Sequence, residues 1–440
     1  MTGARATDGR LAPAAAGRGV YAIVRAVWTA LAVFVLSYIV IAGTRVPFLK
    51  LDRPAGALLG AVGMVALGVV RPDEAAKEAV NHDTILLLLG MMIVSAYMVE
   101  ARMFRFASWL TLTRVRSPRR LLVALVFVSG LVSAILVNDT VCLMFTPLVV
   151  QLARDARLRP LPLLLGLAFG SNAGSSATPT GNPQNMIIGT ISGIGYAHFT
   201  RALILPALAS LGVVAAVLVV LFRRDLPEAP IDATGLKRPD LKPRLAALCL
   251  VTLAGIVAAF FAGMNLAWTA MTGAAVLVLA SREAPRLVFE RVDWILLLFF
   301  GGLFVIVYGV GKAGVAEAMF QAIRPAFGDH PLGQAVVFGL FTVAASQVVS
   351  NVPFVLLASH WIPALSDPVF LWLSTALTAT LAGNLTIVGS VANMIVLEGA
   401  RGEVKVGFWE FFRYGAVVTG LTLAAGFGVL WLERSLGWLG

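Results

Sequence analysis

The chain has 440 residues, 59% of them hydrophobic and only 13% charged, with mean hydropathy +0.89; soluble domains are roughly 45–50% apolar and about 25% charged. That balance excludes a water-soluble enzyme and reads as a polytopic membrane protein, since a bilayer core about 30 Å thick takes roughly 20 apolar residues per helix. The formal charge of +11 lies in the short connections between apolar runs, which is the positive-inside pattern and not a nucleic-acid-binding face.

Residues 1–20 carry Arg5, Arg10 and Arg18 among Ala, Gly and Pro and read as a disordered tail. The apolar run behind it is too long for the core of a cleaved leader. A first half, 21–222, holds spans at 21–42, 54–70, 84–101, 161–191 and 200–222, with an odd stretch at 119–153. A polar connector follows at 223–243. The second half, 244–440, repeats the plan with spans at 244–262, 266–281, 294–311, 370–397 and 411–432, and an odd stretch at 331–365. Cys142 and Cys249 sit in apolar runs and the four histidines are scattered, so neither a disulfide framework nor a metal cluster is expected.

The repeat is visible in residues. Asp83-Thr-Ile-Leu-Leu-Leu matches Asp293-Trp-Ile-Leu-Leu-Leu, Val137-Asn138 matches Ser350-Asn351, and Gly181-Asn-Pro-Gln-Asn-Met-Ile-Ile matches Gly389-Ser-Val-Ala-Asn-Met-Ile-Val. Five spans per half is an odd number, so the second half enters the membrane from the opposite side, and the repeats are inverted. Placing Lys and Arg on alternate sides under this plan collects 24 of the 34 on one side. The bias orients the chain with the connector cytoplasmic and both termini outside.

The stretches 119–153 and 331–365 each enclose a polar tip, Asn138-Asp139-Thr140 and Ser350-Asn351-Val352-Pro353, between arms of roughly 14–18 residues. An arm of ~17 residues reaches about 25 Å, short of a full crossing, so both read as re-entrant hairpins. The spans 161–191 and 370–397 are polar in their middles. Asn172, Ser175, Ser176, Thr178, Thr180, Asn182 and Asn185 interrupt the first, and Asn384, Thr386, Ser390 and Asn393 the second. Pro179 and Pro183 should leave carbonyls free; freed carbonyls, half-helix ends and Asn, Ser and Thr side chains are what hold a cation and an anionic substrate at the bilayer midplane. Close helix packing through small residues is the plainer alternative.

These paired tips resemble the Ser-Asn-Thr tips of divalent-anion/sodium symporters and the related tips of arsenite efflux permeases. The run Gly-Ser-Ser-Ala-Thr-Pro-Thr-Gly-Asn-Pro-Gln-Asn is similar to a signature of the wider ion transporter superfamily. The resemblance implies a dimerising scaffold domain, a transport domain with hairpins and broken helices, elevator-type movement, and Asn138, Thr140, Ser350 and Asn351 lining the substrate and ion sites. The first tip departs from that pattern by carrying Asp139, the only acid deep within an apolar element. It would ligate sodium, take up a proton, or cap the arm that follows. The second tip has Val-Pro in place of a threonine, which breaks the symmetry of paired sodium sites.

The expectation is an all-α protein of a bacterial inner membrane, ten transmembrane helices plus two re-entrant hairpins in two inverted repeats. It would move a small anion, oxyanion or carboxylate, coupled to sodium or protons, as a homodimer in the lipid bilayer, with no nucleic-acid partner, no organic cofactor and no metal beyond a sodium site. A sodium/proton antiporter and a passive channel are the other readings. No nucleophile, paired carboxylates or phosphate-cradling loop supports an enzyme or an ATP-driven pump.

Overall fold

The computed structural model describes residues 13–42, 51–115, 117–226 and 238–439, and among them regular structure is entirely helical. The order is α1 Pro13–Ala42, α2 Arg53–Ala66, a single turn α3 Pro72–Glu74 running into a π-turn at Ala75–Ala79, α4 His82–Glu100, α5 Met103–Arg114, α6 Pro118–Ile135, α7 Asn138–Asp155, α8 Pro160–Ser175, α9 Pro183–Ile191 and α10 Tyr196–Leu221. Then come α11 Pro243–Phe261, α12 Leu266–Ala280, α13 Pro285–Phe289, α14 Trp294–Lys312, α15 Val315–Phe327, α16 Pro331–Val349, α17 Asn351–Ala358, α18 Pro368–Ala382, α19 Val391–Gly399 and α20 Phe408–Ser435. Prolines open many of them at a position where the missing N–H costs nothing, and Asp52, Asn81, Asn182, Asn265, Asp293 and Asp367 cap six N-termini with their side chains.

The second set of ten helices repeats the first, and the packing is reciprocal. Helix α4 packs on α12 as α14 packs on α2; α7 meets α19 as α9 meets α17; α10 and α20 pair with each other. Small residues set the closest approaches. A Cβ added at Gly90 of α4 would lie 2.7 Å from the Ala270 carbonyl carbon of α12, and one at Gly302 of α14 would lie 2.7 Å from the Ala57 carbonyl oxygen of α2. Gly90 and Gly302 are counterparts, as are Ala57 and Ala270. The capping residues Asn81 and Asp293 of α4 and α14 are counterparts too, so the true register runs two residues away from the match of Asp83 with Asp293 drawn from sequence.

Helices α8 and α18 are buried on every side, whereas Val251, Trp268 and Leu279 on α11 and α12 face outward. In a chain this apolar such an exterior is a lipid-facing one. Eight described helices, α1, α4, α6, α10, α11, α14, α16 and α20, are long and apolar enough to cross a membrane. The expected ten spans are therefore not ten uniform helices. The spans at 54–70 and 266–281 shorten to α2 and α12, of 14 and 15 residues, and the two polar spans split into α8 with α9 and α18 with α19.

The hairpins also depart from expectation. Their first arms, α6 and α16, have 18 and 19 residues and reach roughly 27–29 Å, the top of the range inferred from sequence and one residue beyond it. The returning arms differ, with 18 residues in α7 and eight in α17, because the turn at Ser359–Trp361 and the 3₁₀ turn Ile362–Ala364 end α17 early. Helix α1 starts at Pro13, on a Pro-Ala-Ala-Ala run of high helix propensity, so 13–20 is helical and not tail; residues 1–12 and connector residues 227–237 lie outside the described set. Helices α5 and α15 were not anticipated.

Non-local ion pairs join charges that the sequence count assigned to one side. Lys242 binds Glu100 at 2.6 Å and Glu283 at 2.9 Å, Arg291 binds Glu100 at 3.0 Å, and Arg102 binds Asp240 at 2.7 Å; on the other side of that count Lys312 binds Glu74 at 2.5 Å. Glu100 and Lys312 close α4 and α14, so the two clasps use opposite charges at equivalent positions. The Lys312 ammonium, with the Arg71 amide, holds the Glu74 carboxyl below the usual carboxylate range, and the Glu100 and Glu283 carboxylates hold the Lys242 ammonium above its own.

Gly90→Ala and Gly302→Ala lower the unfolding midpoint by an overpacking penalty of roughly 1–3 kcal/mol, whereas Gly301→Ala, with nothing within 4 Å of its Cβ, does not. For the clasp, a carboxyl with a depressed folded pKa stabilises above its unfolded value of about 4.3 and loses that contribution as pH falls through the folded one. The difference in unfolding midpoint between the wild type and Lys312→Met therefore closes as pH is lowered from 7 to below that range.

Candidate functional site

Both interruptions follow one design. After α8 the chain turns through Ser176–Asn182 and restarts as α9; after α18 it turns through Gly383–Ser390 and restarts as α19. The carbonyls released at each break are gathered by an asparagine on the second half-helix. Asn185 Nδ2 donates to the carbonyls of Ser175, Ser176 and Thr178 at 3.3, 3.3 and 3.1 Å, and its counterpart Asn393 Nδ2 donates to those of Gly383 and Thr386 at 2.7 and 3.0 Å. Asn182 caps α9 and donates to Ser175 Oγ at 3.0 Å and Thr380 Oγ1 at 3.2 Å. The expectation of free carbonyls is thus corrected for Pro179, since the Ser175 carbonyl four residues before it accepts from Asn182 and Asn185, and Pro183 opens α9 in its preferred place. Gly181 is required here, since a Cβ would lie 2.1 Å from the Ser175 carbonyl oxygen.

A relay of side-chain amides runs from the second break to the first tip, and its direction is fixed at one end. Backbone carbonyls only accept, so Asn393 must turn its Nδ2 toward Gly383 and Thr386 and its Oδ1 toward Asn172. Asn172 Nδ2 therefore donates to Asn393 Oδ1 at 3.1 Å, and also to Asn384 Oδ1 at 2.8 Å. Its own Oδ1 then accepts from Ser390 Oγ at 3.0 Å and Asn138 Nδ2 at 3.1 Å. Asn138 is left with its Oδ1 buried and without a partner, and so is Asn351 Oδ1 on the second tip. These counterparts are acceptors kept out of the protein's own hydrogen bonding, which is uncommon and calls for a ligand or water.

The tips are docked on the breaks. The Asn138 amide donates to the Gly181 carbonyl at 2.9 Å, Ser171 and Ser133 share a hydrogen bond at 2.8 Å beneath it, and Thr178 binds the Ala134 carbonyl. On the second tip, Asn351 Nδ2 lies 3.3 Å from where a Gly383 Cβ would be, and Gln347 joins the Ala382 carbonyl at 2.9 Å to Thr386 Oγ1 at 2.8 Å. Ser350 has φ 71° and ψ 159°, a backbone region otherwise kept to glycine and costing on the order of 1–3 kcal/mol; Val137, its counterpart, is ordinary extended chain. Asp139 lies buried in the first turn of α7, but Val137 occupies the cap position and Asp139 makes no capping bond, so the capping alternative is not realised.

The sequence-predicted residues fall into two groups. Ser175, Ser176, Thr180, Asn182, Asn185, Asn384 and Asn393 are completely enclosed or nearly so and bond chiefly within the breaks. Asn138, Asp139, Asn172, Thr178, Asn351, Thr386 and Ser390 keep a small accessible area, and Thr140 and Ser350 are half-exposed. Thr380, Gln184, Gln347, Ser133 and Ser171 belong to the same network and were not predicted. Gln184 and Ser171 stood within the polar run 171–185; Thr380, Gln347 and Ser133 lie on apolar helices outside the interruptions. His360 is exposed, with Nδ1 3.2 Å from the Leu356 carbonyl and its ring beside Gly311, and both cysteines are free and buried. Asn172→Ala would strip partners from Asn138, Asn384, Asn393 and Ser390 together.

The CitMHS family model, described as citrate transporter, matches residues 38–378. The chain belongs to the citrate transporter family. Curated relatives cover nearly its whole length: it is 30% identical to the silicon efflux transporter LSI3 of Oryza sativa subsp. japonica over 87% of this chain and 93% of that one, and 27% identical to the putative transporter arsB of Dictyostelium discoideum over 90% of each. It is 32% identical to a 46 kDa membrane protein of Mycobacterium leprae, over 92% of this chain and 98% of that one. In fold it matches the Alcanivorax borkumensis YdaH transporter, with TM-score 0.59 and 16% identity over 95% of this chain and 99% of that one. The expected resemblance to ion transporter permeases is borne out, and this family member is an integral membrane transporter.

Measured on purified protein, Asn172→Ala should lower stability by roughly 2–5 kcal/mol, since each buried polar group left unpaired costs about 1–3 kcal/mol.

Proposed function

We propose that the chain is a secondary active transporter that moves a small anion, a carboxylate or oxyanion, together with sodium ions or protons, by elevator-type movement of the hairpins and broken helices against α2, α4, α12 and α14. The carrying observation is the pair of unpartnered, buried Asn138 and Asn351 oxygens. Carbonyl oxygens of this kind suit sodium or a hydroxyl donor and repel a bare anion. Four helix N-termini, of α7, α9, α17 and α19, begin at the same tips and breaks, and their partial positive charge suits the anion.

The site's own side chains are amides, hydroxyls and the Asp139 carboxyl. A free anion would enter without a countercharge, so cation coupling is the physical condition for its binding, and Asp139 is the group that would sense the cation. The accessible members Asn138, Asp139, Thr140, Asn172, Asn351, Thr386 and Ser390 line the site in this reading, and the enclosed asparagines hold its shape. The central connector is cytoplasmic, both termini are outside, and two copies associate through their scaffolds in a bacterial inner membrane. Transport of this kind needs no catalytic group.

Proteoliposomes test the reading. Under an imposed sodium or proton gradient, citrate or arsenate accumulates inside above its equilibrium level and collapses when an ionophore dissipates the gradient. Flux that only runs downhill would make the protein a channel, and proton movement on a sodium gradient without added anion would make it an antiporter. Asp139→Asn removes the dependence of uptake on the coupling cation; an unchanged dependence on pH and sodium takes Asp139 out of the mechanism.

A further inference from the structure

A cavity of about 920 Å³ opens between the start of α2 and the second interruption, lined among others by Asp52, Arg53, Val388, Glu398, Arg401 and Lys405. Its lining includes Ile387 and Val388 of the 3₁₀ turn Ile387–Gly389, which lies between Thr386 and Ser390 of the network described above. Arg53 donates one guanidinium N–H to the Val388 carbonyl at 3.2 Å, and its Nε is buried without a hydrogen-bond partner. Arg401 and Lys405 are exposed at the mouth and form no ion pair among the described residues. Of the two acids present, Asp52 accepts from the Ala55 amide at 3.0 Å to cap α2, and Glu398 is exposed.

A half-buried guanidinium meeting one neutral carbonyl is incompletely satisfied. It has five donors in a planar fork suited to a carboxylate or oxyanion, and partial burial strengthens its attraction by lowering the local dielectric. It is also placed where the interior site is deficient, since that site offers amides, hydroxyls and a carboxylate but no cationic side chain. Arg53 belongs to α2, which packs on α14 and α1, while Val388 belongs to the break that packs with the tips. The contact thus joins the two bodies that the elevator reading sets in relative motion.

We infer that this cavity is the anion's port onto the site, with Arg53 as the residue that meets the incoming carboxylate or oxyanion and Arg401 and Lys405 as the charges that draw it in. The inference rests on the anion-transport reading above. As the anion forks onto Arg53, the guanidinium exchanges its bond to the Val388 carbonyl for the ligand, and the turn bearing Thr386 and Ser390 is released beside it.

Initial-rate transport in proteoliposomes, with citrate as the anionic probe and silicic acid as a neutral one, tests this. Arg53→Gln should raise the KM for citrate about tenfold, the equivalent of one charge-assisted hydrogen bond, with the maximal rate largely kept, and Arg53→Lys should recover part of the loss. Arg401→Gln with Lys405→Gln should flatten the fall of citrate uptake with ionic strength, and none of these changes should alter silicic acid flux if that is carried. A citrate KM and salt dependence unchanged in Arg53→Gln and in the double variant would overturn the port while leaving anion transport intact. A wild-type protein that carries silicic acid and no anion would overturn the anion reading and the port together. A fall in maximal rate for both probes at unchanged KM would show that Arg53 only holds the turn, and would overturn its assigned role.

Discussion

The structure depends on the carboxamide of Asn172. Among the described residues it is the one side chain bonded to a hairpin tip of the first repeat and to both ends of the interruption in the second, through Asn138, Asn384, Ser390 and Asn393. Carbonyls at the second break fix the direction of this relay, and the direction leaves the Asn138 oxygen facing outward from the network. An apolar packing scheme could hold the same helices together, but it would not decide which atom is presented. Low dielectric around the relay makes every member costly to remove, so a rigid acceptor is maintained at membrane depth without a charge.

The pseudo-two-fold relation organises the remainder, and its defects are as informative as its regularities. Gly90 with Ala270 and Gly302 with Ala57 are the same contact made twice, and Asn185 and Asn393 collect carbonyls in the same manner. The tips differ. One carries Asp139 behind an unstrained Val137, and the other carries Ser350 in a glycine-like conformation ahead of Val352 and Pro353. Equivalent frames thus bring unequal chemistry to the centre. The clasps at Glu100 and Lys312 carry the same asymmetry in sign.

Much of this was legible in the sequence because membrane-depth polarity is costly and therefore conspicuous. Asn138, Asn172, Asn185, Asn351 and Asn393 stood out against apolar surroundings, and the repeat located their partners. Helix lengths were less legible: α2 and α12 are shorter than their apolar runs, and α17 stops after two turns, because ends are set by local turn chemistry that hydropathy does not record. The register between Asp83 and Asp293 was misjudged by two residues, since matching letters outweighed the capping role shared by Asn81 and Asp293. Thr380 and Gln347 were missed because hydroxyls and amides on otherwise apolar helices announce themselves only when their partners arrive from elsewhere in the chain. Arg53 was counted among the basic residues of a loop, and only the fold reveals that it reaches Val388.

The most direct measurement is an experimental density map of the protein in lipid with citrate and the coupling cation bound. The account predicts density for the coupling cation or a hydroxyl donor on the Asn138 and Asn351 oxygens, with the citrate carboxylates beside it at the N-termini of α7, α9, α17 and α19. Citrate bound elsewhere, with both asparagine oxygens satisfied by protein groups, would contradict it.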